Sequence, residues 1–288
     1  MENKKNTSPV LKVPTWIRFS VWLSQLVSNS LATKLALYFF FRPQRFNRPV
    51  REQEMHEHAL QSNCYVPKID KEIQVFRFAG KGAKILLLHG WSGRGTQLFA
   101  FYDELRKSNS EIVTFDMPAH GQSLGNKTNI VELIACIKEV HVKYGPFDHA
   151  IAHSMGSMAL LRALRDGIPM KSAAIIGSGD KVRNVFYRFS EKLQFSDRVT
   201  EQMIQTVEKQ FGTNLENYSS SLSLEHLDMP LLIVHDKDDK ETPFTYSKDI
   251  HQIAKNSELF LTSGLGHHRI LRDLNTVQYI VKFINQHP

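Results

Sequence analysis

Short apolar runs alternate with helical patterns along most of this chain. Continuous apolar runs are typical of strands buried on both faces of a sheet. Residues 85–88 form such a run, and further strands are predicted at residues 112–115, 150–152, 173–176, 230–235 and 258–261. Helical patterns separate or follow them at residues 97–108, 130–144, 158–165 and 274–285. Residues 72–78 alternate between apolar and polar, which favours an edge or near-edge strand with one wet face. The alternation of strands and helices predicts an α/β fold with a mostly parallel twisted sheet, covered by helices on both faces.

One long stretch, residues 181–229, interrupts this alternation between two consecutive core strands. A bare loop of that length is uncommon in a compact domain. Apolar residues within it indicate two or three helices, and these are Phe186, Phe189, Leu193, Phe195, Met203, Ile204, Val207 and Phe211. The stretch is therefore interpreted as a helical insertion.

The N-terminal part of the chain is apolar without being long enough to cross a membrane. Its longest uninterrupted apolar run, residues 35–41, falls far short of the ~20 residues that a spanning helix needs. No small-residue cleavage site follows an uninterrupted apolar core, so a signal peptide is a poor match. Apolar residues recur at roughly helical spacing from residue 15 onward, which predicts one or two amphipathic helices.

These patterns suggest a division of the chain. Residues 1–14 are polar and expected to be loosely ordered, and residues 43–51 form an extended basic connector. We expect residues 1–70 to be a basic amphipathic helical arm with its connector. Residues 71–288 would then be the α/β domain, with residues 181–229 as its helical insertion.

The net positive charge of the chain is concentrated near the N-terminus. Composition is ordinary for a globular protein, with 42% hydrophobic and 23% charged residues. The net charge of +7 comes from residues 1–50, which hold eight basic side chains against Glu2, while the remaining 28 basic and 28 acidic side chains balance. Without a basic stripe elsewhere, a nucleic-acid-binding body is not expected. The arm either packs on the domain or rests peripherally on an anionic membrane through residues 15–51.

Cysteine usage points to an intracellular setting. Cys64 and Cys136 lie far apart and form no CxxC pair, so a reducing, cytoplasmic environment is expected, with the inner face of a membrane as the alternative location. No G-x-G-x-x-G follows a strand, so no dinucleotide is implied, and no cofactor is expected. The adjacent His267 and His268 lack further ligands at metal-binding spacing, so no metal site is expected.

The most informative stretch is residues 147–160, where an apolar run meets a serine and a helical pattern begins. Ser154 lies between Ala152 and Gly156, which gives A-x-S-x-G in place of the commoner G-x-S-x-G. A serine hydroxyl is a poor nucleophile, so it must be held clear of the sheet where a base can take its proton. The turn crowds the backbone, so the residues two before and two after the serine must be small.

This stretch resembles the nucleophile elbow of the α/β-hydrolase family, and further segments match that family in order between residues 72 and 286. The resemblance implies a serine, then an acid, then a histidine. The H-G-x-x-D pattern of the family places the acid at Asp239, with Asp238 as the alternative and Asp236 where glycine is usual. The G-H signature places the base at His267. Its neighbour His268 is expected to point elsewhere.

The same resemblance supplies the remaining parts of the site. The segment 89–91 is similar to an H-G-x turn, which implies that the backbone N–H groups of Trp91 and Met155 stabilise an oxyanion. Residues 116–123 resemble a D-x-P-G-H-G-x-S loop, interpreted as structural. His89 and His153 are interpreted as packing residues. The insertion corresponds to the cap of the family, although a structural insertion without substrate contact is the alternative.

The sequence therefore predicts a serine hydrolase that cleaves a small-molecule carboxylic ester or thioester through an acyl-enzyme. Two alternatives stay open. One is a catalytically silent scaffold that serves in binding or membrane docking, and the other is an acyltransferase that uses the same three residues.

Overall fold

The computed structural model describes residues 13–225 and 227–287, so most of the N-terminal segment expected to be loosely ordered lies outside the described residues. Eight strands form one sheet. They are β1 (Leu60–Val66), β2 (Lys71–Phe78), β3 (Lys84–Leu88), β4 (Glu111–Phe115), β5 (His149–His153), β6 (Ser172–Ile176), β7 (Leu231–Asp236) and β8 (Ser257–Thr262).

The order of the strands across the sheet is β1-β2-β4-β3-β5-β6-β7-β8. From β4 to β8 all neighbours are parallel, whereas β2 pairs antiparallel with both β1 and β4. The predicted mostly parallel sheet is confirmed, and the alternating segment at residues 72–78 is a near-edge strand. The edge strand β1 was not predicted, because Cys64 and Val66 are its only fully buried side chains and its periodicity is weak.

The described residues also form α-helices. They are α1 (Thr15–Val27), α2 (Asn29–Phe40), α3 (Gln53–His58), α4 (Phe99–Leu105), α5 (Ile130–Tyr144), α6 (Met155–Arg165), α7 (Val182–Leu193), α8 (Asp197–Phe211), α9 (Ser220–Leu224), α10 (Thr245–Ile253), α11 (Gly266–Arg269) and α12 (Leu274–Asn285). Of these, α5 and α6 cover one face of the sheet, and α4 and α12 cover the other.

The core has two layers because successive side chains of a strand point to opposite faces. In β3, Leu86 and Leu88 join the layer that includes side chains of α5 and α6. Ile85 and Leu87 join the opposite layer, with side chains of α4 and α12. A strand buried on both faces favours apolar residues at successive positions, which explains the run at residues 85–88.

The described chain divides into two compact units. The larger unit, residues 41–182 and 215–287, contains the whole sheet. In the smaller unit, residues 13–40 pack with residues 183–214. Thr33 Oγ1 donates to Gln202 Oε1 over 2.9 Å, and the Phe40 ring stacks on Phe186 with centroids 4.2 Å apart. The N-terminal helices and most of the insertion are therefore one folded body.

No helix in the described ranges is both long enough and apolar enough to cross a bilayer.

Candidate active site

Ser154 occupies the sharp turn between β5 and α6. Its backbone has φ 53° and ψ −120°, a conformation that residues with a side chain rarely adopt. The Ser154 N–H donates to the Ile176 carbonyl over 2.9 Å, which ties the turn to the end of β6. A Cβ at Gly156 would lie 2.5 Å from the His89 carbonyl oxygen, so only glycine fits there. The methyl group of Ala152 is accommodated within the core.

The loop after β3 lies against this turn. A Cβ at Gly90 would lie 2.9 Å from the Ser154 Cβ, so the loop backbone approaches the serine directly. Within the described chain, the backbone N–H groups of Trp91 and Met155 donate to no other protein group. Two free donors beside a serine are the elements that an oxyanion hole requires.

Asp239 and His267 are brought together from the loops after β7 and β8. The Nδ1 atom of His267 donates to Oδ2 of Asp239 over 2.6 Å, and the Asp239 side chain is only 1% exposed. Oδ1 of Asp239 accepts the N–H groups of Glu241 and Thr242. This arrangement fixes the proton on Nδ1 and leaves Nε2 of His267 as the basic nitrogen.

A second imidazole also contacts Asp239. His235 Nε2 lies 3.2 Å from Asp239 Oδ2 and 3.0 Å from the Thr242 carbonyl. Because that carbonyl can only accept, the His235 Nε2 carries a proton. Burial alone would raise the pKa of Asp239, but the hydrogen bonds from His235, from His267 and from the Thr242 N–H outweigh it. The pKa of Asp239 is therefore held well below its usual range, and the carboxylate stays ionised.

Asp236 and Asp238 hold the loop that carries His267 and do not contact its imidazole. Asp236 accepts the N–H groups of Leu265 and Gly266 at 3.0 and 2.9 Å, and also the Thr262 hydroxyl. Asp238 accepts the N–H of Gly264 over 2.7 Å. Burial opposes ionisation of Asp236, but these donors hold its pKa below the usual value. The alternative acid, Asp238, therefore lacks the contact that orients a base.

His153, directly before Ser154 in the sequence, contacts the backbone of His267. Its Nε2 donates to the His267 carbonyl over 3.0 Å, and the two rings lie 4.6 Å apart. His153 is buried, and its Nδ1 has no hydrogen-bond partner among the described residues. Burial, together with the nearby His267 and His268, holds the pKa of His153 well below its usual value, so the ring is neutral.

Ser154 and His267 approach the same part of β6 without a hydrogen bond. The Ser154 N–H bonds to Ile176, and a Cβ on the next residue, Gly177, would lie 3.2 Å from Nδ1 of His267. Across residues 13–225 and 227–287, the Ser154 hydroxyl makes no hydrogen bond with the imidazole. Asp239 and His267 are thus joined directly, whereas Ser154 is a neighbour.

His268 belongs to a different pair. Its Nε2 lies 3.0 Å from a carboxylate oxygen of Glu241, and both side chains are about half exposed. The hydrogen bond to Glu241 raises the pKa of His268 above its usual value. His268 therefore contacts a different carboxylate from His267, as expected from adjacent positions.

The loop at residues 116–123 is held by buried polar contacts. The Asp116 carboxylate accepts the N–H groups of Gly95 and Gln122, each over 2.7 Å. Burial raises the pKa of Asp116 to about 6 in spite of these donors. His120 Nε2 accepts the Ser92 N–H over 2.9 Å, and burial lowers the pKa of His120 to about 4. His89 Nε2 likewise accepts the Met117 N–H, so both rings are neutral acceptors.

Sequence reasoning singled out Ser154, Asp239 and His267 but missed the contacts of two further residues. His235 begins the H-G-x-x-D pattern that located Asp239, so its position was a usable signal. Asp236 stands at the glycine of that pattern, and its hydrogen bonds show that this departure has a structural purpose. Within the described ranges, no three His, Cys, Asp or Glu side chains are grouped as metal ligands.

A mostly parallel sheet with one antiparallel strand, β2, next to its edge and a serine turn after β5 define the α/β-hydrolase class of fold. The sequence model of the "Alpha/beta hydrolase family" matches residues 85–274, more than half of the chain. The chain therefore belongs to the α/β hydrolase family.

Solved structures of hydrolases share this fold at low sequence identity. The esterase Pf2001 of Pyrococcus furiosus superposes with a TM-score of 0.63 at 16% identity, covering 85% of this chain and 96% of its own. An esterase of Exiguobacterium antarcticum gives 0.62 at 16%, covering 78% and 100%. Mouse alpha/beta hydrolase domain-containing protein 10 gives 0.63 at 14%, covering 79% and 98%. No curated protein matches the sequence significantly.

Proposed function

We propose that this chain is a serine hydrolase that cleaves a carboxylic ester or thioester through an acyl-enzyme. Ser154 is the nucleophile, His267 the general base and Asp239 the acid that orients it. The observation that carries the proposal is the 2.6 Å hydrogen bond between a buried, ionised Asp239 and Nδ1 of His267. This contact fixes the tautomer that leaves Nε2 free to accept a proton.

Acylation begins when the Ser154 oxygen attacks the carbonyl carbon of the substrate. Nε2 of His267 takes the hydroxyl proton, and the imidazolium that forms is stabilised by the negative charge of Asp239. The carbonyl oxygen becomes an oxyanion, which accepts hydrogen bonds from the N–H groups of Trp91 and Met155. Each such donor lowers the barrier by ~3 kcal/mol. Collapse expels the alcohol or thiol, which leaves with the proton from His267.

Deacylation repeats these steps with water as the nucleophile. Nε2 of His267 takes a proton from water, and the hydroxide attacks the acyl carbon of the Ser154 ester. The same two N–H groups bind the second oxyanion. Collapse returns the proton to the Ser154 oxygen and releases a carboxylic acid. If an alcohol or thiol acceptor replaces water, the same residues perform acyl transfer.

The conformation of the serine also supports the proposal. A strained φ at a residue with a side chain persists only where the surrounding structure holds it, and such strain concentrates at functional sites. The Ser154 turn is held by the Ile176 carbonyl and by the close approach of Gly90. Esterases among the proteins of the same fold agree with the proposed reaction class.

One observation favours a catalytically silent scaffold as the second candidate. The Ser154 hydroxyl makes no hydrogen bond with His267 within the described chain, so the proton path needs a side-chain movement to close. Catalytic hydrogen bonds are often long before substrate binds. The scaffold reading and the enzyme reading therefore differ in one measurable property, the reactivity of the serine.

A fluorophosphonate probe measures that reactivity, because it forms a covalent bond only with an activated serine hydroxyl. We expect one probe per wild-type chain and none on Ser154→Ala. The control Ser30→Ala removes an exposed hydroxyl elsewhere and is expected to label as the wild type does. A folded wild-type protein that stays unlabelled would establish the silent scaffold.

Substrate chemistry is then addressed with nitrophenyl esters and coenzyme A thioesters of graded acyl length. We expect burst kinetics, because acylation releases the leaving group before water regenerates the serine. Product analysis with added alcohols and thiols separates hydrolysis from acyl transfer. Turnover by Ser154→Ala equal to that of the wild type would contradict the assigned nucleophile.

A further inference from the structure

Helix α1 of the smaller unit turns its apolar side to solvent. Six of its apolar side chains are exposed by 45% to 66%, and these are Trp16, Phe19, Trp22, Leu23, Leu26 and Val27. Folded proteins rarely expose large contiguous apolar surfaces, and those that do use them for binding. We call these six residues the α1 outer face.

The α1 outer face is continuous because of helical geometry. At 100° per residue, its six side chains occupy one side of the helix. The buried residues of the helix, Val21 and Ser24, lie on the opposite side. The helix therefore packs through a narrow, partly polar stripe and leaves its broad aromatic side unpartnered among the described residues.

The segment that carries this face is basic and lacks acids. Residues 13–50 contain no Asp or Glu, and Lys4, Lys5 and Lys12 precede the helix in the sequence. Arg18 lies on the helix itself, and Lys34 is exposed on α2. Within the described chain, neither Arg18 nor Lys34 forms an ion pair. Both charges are therefore available to a negatively charged partner.

We propose that the α1 outer face binds the surface of an anionic membrane, with α1 lying in the plane of the interface. Tryptophan suits this depth because its ring is apolar and its N–H is polar. Apolar side chains enter the boundary between headgroups and acyl chains, while the basic residues contact lipid phosphates. The thirteen residues of α1 are too few to span the bilayer, so the helix lies on it.

Charge argues against a second copy as the occupant. In a symmetric dimer the same surface faces itself, which would bring the segment 13–50, with its basic side chains and no acid, against its own copy. Like charges across an interface are unfavourable. An anionic lipid surface satisfies both features of the region, its apolar face and its unpaired positive charge.

The test is flotation of the full chain with vesicles of phosphatidylcholine alone or with a fraction of phosphatidylglycerol. We expect the wild type to float with the anionic vesicles and to bind neutral vesicles at least tenfold more weakly. Binding should also weaken at high salt, because screening reduces the electrostatic part. Tryptophan emission should shift to shorter wavelength as Trp16 and Trp22 leave water.

Two exposed positions of the face serve as the variant. Trp22→Glu with Leu26→Glu should weaken binding at least tenfold. The matched control, Val142→Glu with Leu274→Glu, makes the same change of charge at exposed apolar positions of the larger unit. It should bind as the wild type does. Melting temperatures equal to that of the wild type show that all these proteins are folded.

A charge variant keeps the proposal testable if the glutamates disturb folding. Arg18→Gln with Lys34→Gln leaves the apolar face intact and should weaken anionic-vesicle binding by about fivefold per charge removed. The proposal is overturned if the wild type does not float with anionic vesicles, or if the glutamate variant and its control bind equally. Light scattering that shows a wild-type dimer, lost in the glutamate variant, with no flotation would assign the face to a second copy.

Discussion

The Nδ1 atom of His267 lies 2.6 Å from Oδ2 of Asp239, and that same oxygen also receives the His235 imidazole at 3.2 Å. A single carboxylate oxygen thus serves two rings, of which only His267 belongs to the proposed proton path. The second ring keeps Asp239 ionised and fixes its orientation before any substrate arrives.

Asp239→Asn is expected to lower kcat by about 10³- to 10⁴-fold, with KM changed little. The amide can present its N–H to His267 and so favours the wrong tautomer of the imidazole. The control is Asp238→Asn in the same loop. Asp238 contacts Gly264 and not the imidazole, so this variant should keep kcat within a few-fold of the wild type. Steady-state kinetics with a nitrophenyl ester measure kcat and KM for both variants and the wild type. A larger loss in Asp238→Asn than in Asp239→Asn would reverse the assignment.

Asp236→Asn should weaken the loop that positions His267. Asparagine keeps one acceptor where the carboxylate offers two, so N–H groups of Leu265 or Gly266 lose a charged partner. We expect the free energy of unfolding to fall by about 2 kcal/mol and kcat to fall about tenfold. KM should stay within twofold, because Asp236 contacts the loop and not the substrate. Equal activity with a lower melting temperature would limit Asp236 to a structural role.

Two one-methyl substitutions test the serine turn. Ala152→Gly restores the commoner pentapeptide, and its cost is a lost buried methyl group and greater freedom of the unfolded chain, together about 1–2 kcal/mol. Activity should stay within about threefold.

Gly156→Ala adds a methyl group 2.5 Å from a backbone oxygen, so the turn must shift and activity should fall at least a hundredfold. Unfolding curves and probe labelling measure both effects. If Gly156→Ala were as active as Ala152→Gly, the close approach would not constrain the serine.

Asp116 predicts a pH dependence with a definite sign. Its pKa rises from 3.8 in the unfolded chain to about 6 in the folded one, so the folded state binds the extra proton between these values. The contribution of Asp116 to stability is therefore present at low pH and is lost as pH rises through about 6. Asp116→Asn cannot ionise, so its stability relative to wild type should increase from pH 4 to pH 7, by up to ~3 kcal/mol. Denaturant unfolding at each pH measures the difference. A difference that is flat with pH would show that Asp116 stays ionised at low pH.

Local patterns were sufficient for the sheet and for the order of the functional segments. The central strands are mostly apolar because both of their faces are covered, and such stretches are visible without any knowledge of their neighbours. Ser154, Asp239 and His267 were located by their resemblance to motifs of the α/β-hydrolase family, each in a loop or turn that follows a strand. The edge strand β1 escaped notice since only one of its faces is buried.

Contacts between distant segments were beyond local reasoning. Nothing in the periodicity of residues 13–40 indicates that they pack with residues 183–214, because amphipathic helices record that a face is buried but not which partner covers it. The hydrogen bonds of Asp236 and His235 escaped for a related reason. Each of these hydrogen bonds depends on how two segments meet in space. In the sequence, an acidic turn exposed to solvent cannot be distinguished from one that binds a neighbouring loop.

The smaller unit joins segments that leave the ribosome far apart in time. Thr33 and its partner Gln202 are separated by 169 positions, which at roughly 5–20 residues per second corresponds to a delay on the order of ten seconds or more during synthesis. Helices α1 and α2 therefore lack their packing partner until almost three quarters of the chain has been synthesised. A nascent chain that stops before α8 contains α1 and α2 without the segment that packs on them. Premature termination therefore exposes their apolar side chains to chaperones and proteases.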